Sequence, residues 1–271
     1  MTDPTIWNQL FIWPITNLLV FFYKLAELLH LPGPLGFSII LMTILFRIML
    51  FPLISTQMKS AKKIAKLKPH LDELQKRHKS DRQALQQAQM ALYKEHGVNP
   101  AAGCLPLLIQ MPVLIALYNV FYSVFSNNDL SKIVSEINQI LYTPQLHLST
   151  IDLNFFGVNL AIKPSQWQSA GWWLLTIPVA TGLLQWYQTK LMMPNHQSTV
   201  KHQPPEKKEN DKKEEKSQED MAMEMQKQMA IIAPLMFGFF AYQFPIGLAL
   251  YWNLFGIFGI MQQQYINKTH G

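Results

Sequence analysis

Apolar side chains in this chain come in long runs, and the charges are gathered between them. Runs near the length needed to cross a bilayer, about twenty residues, are read at Leu35–Ile54, Leu105–Phe125, Ala170–Leu191, Met229–Tyr242 and Ile246–Gln262. Each predicts a membrane-spanning helix. Between Gln57 and Asn99 the pattern changes. Ile64, Leu67, Leu71 and Leu74 recur at steps of three and four, as do Leu85, Ala88 and Leu92, which predicts a helical hairpin turning at His78–Ser80. Ser80 or Asp81 can cap its second arm, and Gly97 with Pro100 ends it. Residues 194–220 mix Lys, Glu, Asp, Gln and Pro with few apolar side chains. Such a stretch cannot bury a core and is expected to be a mobile linker, with Met221–Gln228 opening the next helix.

The first thirty residues admit two readings. Ile6–Leu31 is apolar enough to span, yet Gln9, Thr16, Asn17, Lys24 and Glu27 fall within about a third of the helical circumference. That narrow polar stripe, with Trp7, Trp13 and Tyr23, suits an amphipathic helix lying in the membrane interface. A sixth span joined through Leu31–Pro34 is the alternative. No basic leading region or small-residue cleavage motif marks a signal peptide.

Lys and Arg set the orientation. They crowd the block from Lys59 to Lys94 and recur between Pro194 and Lys227, whereas the segment from Ser126 to Ser169 holds only Lys132 and Lys163. The expected order is an external interfacial helix (1–34), a first span (35–56), a cytoplasmic helical hairpin (57–99), a second span (103–126) and an external loop (127–169). A third span (170–192), a cytoplasmic mobile charged loop (193–227), the fourth and fifth spans (228–243 and 245–265) and a cytoplasmic tail (266–271) follow. The fold class is therefore an all-α polytopic membrane protein with five transmembrane helices. Overall values of 49% hydrophobic residues and net charge +6 over 271 residues would also suit a soluble domain; the distribution decides otherwise. Cys104 is the single cysteine, so neither a disulfide nor a zinc site is expected. No Walker motif is present, and no cofactor, metal or enzymatic chemistry is expected.

Arg47 lies inside the first apolar run. A guanidinium near the bilayer centre costs at least ~2.5–3.5 kcal/mol on insertion scales, and deprotonation does not relieve it. Gln57, the first clearly cytoplasmic position, is roughly 15 Å of helix away, too far for snorkelling. Arg47 needs a polar partner or a water-filled cavity. No Asp or Glu lies inside another apolar run. Either Arg47 is a structural charge held by backbone carbonyls or a carboxylate between helices, or it receives an anion from outside the protein. Thr43 is one turn earlier on the same face. Gln110, Gln185, Gln188, Tyr251, Trp252 and Asn253 fall at neighbouring depths towards the cytoplasmic half. Converging, they would line a wet concavity; singly, each glutamine can be interhelical glue.

Three stretches carry a family resemblance. Gly36-Phe-Ser-Ile-Ile with Thr43-Ile-Leu-Phe-Arg47 resembles the arginine-bearing span of the YidC/Oxa/Alb membrane insertases. Met90-Ala-Leu-Tyr-Lys-Glu95, leading into Val98-Asn-Pro100 and Gly103-Cys-Leu-Pro-Leu-Leu-Ile-Gln-Met-Pro112, is similar to that family's most specific stretch, and Phe244-Pro-Ile-Gly-Leu-Ala-Leu-Tyr-Trp252 to its last span. The resemblance covers about residues 5–265, with Ala101-Ala102 a departure where a glycine is usual, and it points to the compact five-span form. It implies a non-enzymatic insertase and chaperone of the bacterial plasma membrane, multi-pass, with its N-terminal segment outside and its C-terminus inside. A hydrophilic groove open to cytoplasm and lipid is implied, with Arg47 and Thr43 in it and Gln110, Gln185, Tyr251 and Trp252 at other groove or substrate-contacting positions. Nascent membrane proteins and membrane lipids are the implied partners, with the Sec translocon, the ribosome and the signal recognition particle receptor as further candidates, and no DNA. The basic surface of the hairpin would help recruit substrates, or its charges would only enforce topology. The fourth run has about fourteen residues, roughly 21 Å of helix against a ~30 Å hydrocarbon core; unless its helix extends, it should thin the bilayer. The competing class is a small anionic solute transporter, which inverted repeats would favour; none is visible.

Overall fold

A backbone surrounded by apolar side chains has to satisfy its own N–H and C=O groups, and the apolar runs accordingly fold as helices. The structure, a computed structural model, describes residues 2–78, 81–99, 105–126, 130–192 and 218–269. A π-helical turn, Asn8–Ile12, leads into α1 (Trp13–Leu28). Then come α2 (Pro34–Lys66), α3 (Lys68–Arg77), α4 (Arg82–Glu95), α5 (Leu105–Ser126) and α6 (Leu130–Gln139). A two-stranded hairpin, β1 (Asn154–Phe155) with β2 (Val158–Asn159), precedes α7 (Trp167–Ala170), α8 (Thr176–Met192), α9 (Gln218–Gln243) and α10 (Ile246–Thr269). Among the described residues two stretches are long and apolar enough to cross a membrane, Asn8–Leu28 and Pro34–Ser60; the apolar helices Met111–Tyr122 and Ile231–Gln243 are shorter.

Several boundaries differ from the sequence reading for identifiable reasons. α2 continues past Gln57 to Lys66, so the apolar run and the first basic turns share one helix. The hairpin turn at Lys79–Ser80 lies outside the described residues, but Asp81 caps α4, its side chain accepting from the Gln83 and Ala84 N–H groups. Cys104 and most of the charged loop are likewise outside them. α8 begins at Thr176 rather than 170, because Gly171 adopts φ 114° and separates α7 from a 3-10 turn at Trp172–Leu175. α9 runs for 26 residues, about 39 Å. The extension that would remove the argument for a thinned bilayer is thus present, and only the apolar part is short.

The main core lies at one end of the molecule, and the supposed external loop is part of it. α6 turns Ile133, Val134 and Ile137 inward, where they join Ile12, Leu19 and Tyr23 from the N-terminal helix, Leu35, Ile39 and Met42 from α2, and Leu117 and Phe121 from α5. Phe156 and Gly157, both at positive φ, make the two-residue turn between β1 and β2. The turn sends Phe155 against α2, edge-on to Phe37 at 5.5 Å between ring centroids. Gly33 and Gly36 make room for it: a Cβ at Gly33 would sit 2.7 Å from the Asn154 carbonyl, and one at Gly36 would fall on the Phe155 ring. The same segment caps α10. The Ile162 and Leu160 carbonyls accept from the Ile246 and Gly247 N–H groups, two of the donors that a helix start leaves free.

This packing alters the picture of the N-terminal helix. The polar stripe is divided: Thr16 and Asn17 are buried while Gln9 and Glu27 are exposed. Asn17 is fully used, donating to the Trp13 and Ile140 carbonyls at 2.8 Å and accepting from the Tyr142 N–H at 2.7 Å. Tyr23 Oη accepts from the Asp152 N–H. Part of the stripe thus serves to hold the following segment. Asn17→Leu should leave the buried Ile140 carbonyl and the part-buried Tyr142 N–H short of partners and cost about 1–3 kcal/mol, read as a lower thermal midpoint in detergent.

Away from this core the helices expose apolar side chains. Ile48 is 66% and Met49 64% exposed on α2, and Leu235 is 69% exposed on α9. Leu183 on α8 and Met261 on α10 are exposed as well. An apolar surface of that extent marks contact with lipid or protein rather than water. α8 and α9 meet through matching elements, Pro178 with Gly182 and Pro234 with Gly238. A Cβ on Gly182 would lie 3.4 Å from the Pro234 carbonyl and one on Gly238 3.3 Å from the Pro178 carbonyl. Such close approach is how helices associate where the hydrophobic effect between them is absent.

Candidate functional site

Arg47 projects from α2 onto α10 and is only 7% exposed. Its guanidinium carbon stands 3.5 Å over the Phe255 ring centroid, a cation–π arrangement. One terminal nitrogen donates to the Phe255 carbonyl, and the other makes a long contact of 3.5 Å with Gln262 Oε1. The carbonyl is reachable because of Gly259. In a helix the side chain at i+4 lies over the carbonyl of residue i; at Gly259 a Cβ would sit 2.8 Å from Arg47 Nη2 and 2.7 Å from Gln188 Nε2. The missing side chain lets α2 and α8 both bring a polar group onto α10. Arg47 Nε, also buried, has no hydrogen-bond partner among the described residues, and no ion pair of Arg47 is found among them.

This geometry gives Arg47 the backbone carbonyl partner of the first of the two sequence readings. Carbonyl, amide and ring share its burial, which is the structural-charge arrangement, but none of them carries a negative charge. Among the described residues the guanidinium is held and its charge is not neutralised.

Beside Arg47 an open cavity of about 420 Å³ is lined by Ile44, Ile48, Phe51, Phe258, Met261 and Tyr265, with Arg47 and Gln262 as its polar members. It lies between α2 and α10, and several of its walls are the exposed apolar residues above. The expected convergence of polar groups is therefore narrower than the sequence suggested. Thr43 is buried one turn from Arg47, but its hydroxyl donates to the Ile39 carbonyl of its own helix at 2.6 Å. Tyr251 is buried, with its ring 6.0 Å from that of Phe255. Trp252 turns the other way, edge-on to Phe237 of α9 at 4.4 Å. Gln185 is half-buried on α8, three residues before Gln188. The side chain of Gln110 lies outside the described residues. Gln262, Phe255 and Gly259 escaped the sequence reading. Their spacing, four and seven residues from Phe255, places them on one face of α10 and was the available signal.

Residues 28–271 match the family described as the 60Kd inner membrane protein. The chain belongs to this family, that of the YidC insertases. A membrane protein insertase YidC from Oceanobacillus iheyensis is 32% identical over 267 residues, which are 97% of this chain and 84% of the relative. YidC insertases from Wolinella succinogenes and Rickettsia akari are 31% and 30% identical over 94% and 97% of this chain, which spans 37% and 39% of their lengths. A crystal structure of active YidC insertase with its first transmembrane domain resolved shares the fold, with a TM-score of 0.51 at 22% identity, covering 98% of this chain and 47% of that one. The family resemblance read from the sequence is thus borne out.

Proposed function

We propose that this protein inserts other proteins into the bacterial plasma membrane and helps them fold, and that the Arg47 cavity receives acidic segments of the entering chain. The observation that carries this is a held but un-neutralised guanidinium at the base of a cavity between α2 and α10. Moving a short acidic tail across means stripping water from carboxylates. Arg47 offsets that cost while the tail waits, and the apolar walls let the adjoining hydrophobic segment leave sideways into lipid. Thr43, Gln110, Gln185, Tyr251 and Trp252 belong to the surface over which the entering chain moves.

In this reading the core formed by α1, α5, α6 and the β1–β2 hairpin is the external seal. The N-terminal helix is external, the basic helices α3 and α4 and the tail are cytoplasmic, and α2, α5, α8, α9 and α10 are the five spans. The last turns of α2, with Lys59, Lys62, Lys63 and Lys66, add most of the positive charge to α3 and α4. This basic region suits contact with anionic headgroups, the ribosome or the signal recognition particle receptor, and work beside the Sec translocon is compatible with it. The relatives are insertases, so the solute-transporter reading is not favoured. A photocrosslinker placed at Ile48 or Phe51 should form adducts with a ribosome-bound nascent membrane protein in vesicles. Absence of adducts, alongside crosslinking from the opposite face of α2, would reject the cavity as the entry route.

A further inference from the structure

Gln262 is the group that sets how Arg47 is presented, and its chemistry is more specific than its burial requires. It is only 6% exposed, lines the cavity and engages α2 with both ends of its amide. Nε2 donates to the Phe51 carbonyl at 3.3 Å and to Ser55 Oγ at 3.2 Å. Those acceptors lie four and eight residues beyond Arg47, on the same face of α2. They fix the amide's orientation, because reversing it would set an NH2 against the guanidinium and an oxygen against the Phe51 carbonyl. Oε1 is thereby aimed at Arg47 Nη1 from 3.5 Å.

We propose that Gln262 is a positioning and specificity-determining residue for insertion: a neutral placeholder that orients Arg47 towards the cavity and yields it to an incoming carboxylate. The inference rests on the insertase reading of the Arg47 cavity. A neutral amide at long range localises the guanidinium without cancelling its charge. A carboxylate binds the same donors through charge-assisted hydrogen bonds of about twice the strength, so an acidic client displaces the amide and a neutral one does not. A glutamate at this position, nearly the same size, would supply a resident anion and hold the arginine closed. Selectivity for acidic tails would then depend on one amide remaining an amide.

The test compares Gln262→Glu, Gln262→Met and the unchanged protein, purified and reconstituted in vesicles, inserting matched single-span substrates whose external tails are acidic or neutral. Gln262→Glu should lower the ratio of acidic-tail to neutral-tail insertion about tenfold, its ion pair with Arg47 set against the lost Nε2 bonds to Phe51 and Ser55 in the thermal midpoint, and Gln262→Met should lower the ratio less. An unchanged ratio in folded Gln262→Glu, or equal loss for both tails, overturns the proposal. If Gln262→Glu melts early, Gln262→Met carries the decision, and an unchanged ratio there overturns it equally. Arg47→Ala run in parallel separates the two levels. A normal ratio in that variant removes the arginine reading itself, whereas a defect in Arg47→Ala with none in the Gln262 variants removes only the role of Gln262.

Discussion

Replacing Arg47 with alanine should reduce insertion of a single-span substrate bearing a short acidic external tail by about 10–100-fold, the loss of one or two charge-assisted hydrogen bonds at about 1.5–3 kcal/mol. Insertion of the same substrate with a neutral tail should change far less. Arg47→Lys should retain part of the activity: the ammonium keeps the charge but gives up the planar fork that meets the Phe255 carbonyl and Gln262 together, and the stacking on the Phe255 ring. The fold should tolerate the alanine. The variant leaves Gln262 Oε1 without its donor, but it also relieves the burial of an un-neutralised charge, and these effects oppose each other. Insertion into reconstituted vesicles, with thermal midpoints measured on the same samples, checks the prediction. A folded alanine variant that inserts acidic tails normally would sink the charge-reception mechanism.

A stability effect that a second substitution can isolate is expected at Gly36. A methyl group there occupies the position of the Phe155 ring, so either the β1–β2 hairpin lifts from α2 or the ring leaves its place beside Phe37. Overpacking of this kind costs about 1–3 kcal/mol, partly offset by the better helix propensity of alanine, about 1 kcal/mol. Gly36→Ala should therefore melt earlier in detergent. In a Phe155→Ala background the same change should be nearly neutral or stabilising, because the clash partner is gone; such non-additivity is what a double-mutant cycle detects between touching residues. Additive effects would mean that Phe155 does not fill the space over Gly36.

The features legible in the sequence were those that one stretch of chain carries by itself. The length of the apolar run around Arg47, the Asp81 cap and the three family stretches needed no partner to be recognised. Arg47 stood out because a charge is costly there whatever surrounds it. What surrounds it was not legible. Phe255, Gly259 and Gln262 lie some two hundred residues away, and only the rotation of α10 about its axis decides that they face α2 while Trp252 faces α9. The external loop was underestimated for a related reason. Phe155 and Ile137 look like ordinary loop and helix residues until Gly33 and Gly36 are seen to leave a space for one of them. Asn17 was legible only as one member of a polar stripe, because the Ile140 and Tyr142 backbone groups that it binds lie more than a hundred residues later.

The carbonyls of Leu160 and Ile162 that close the first turn of α10 impose an order on biogenesis. α10 is made after the segment that completes its opening turn. That earlier segment has to be folded against α1 and α2 before the first turn of α10 can be completed. The α10 wall of the Arg47 cavity is consequently set in place only once the core around α1, α2 and the β1–β2 hairpin has formed.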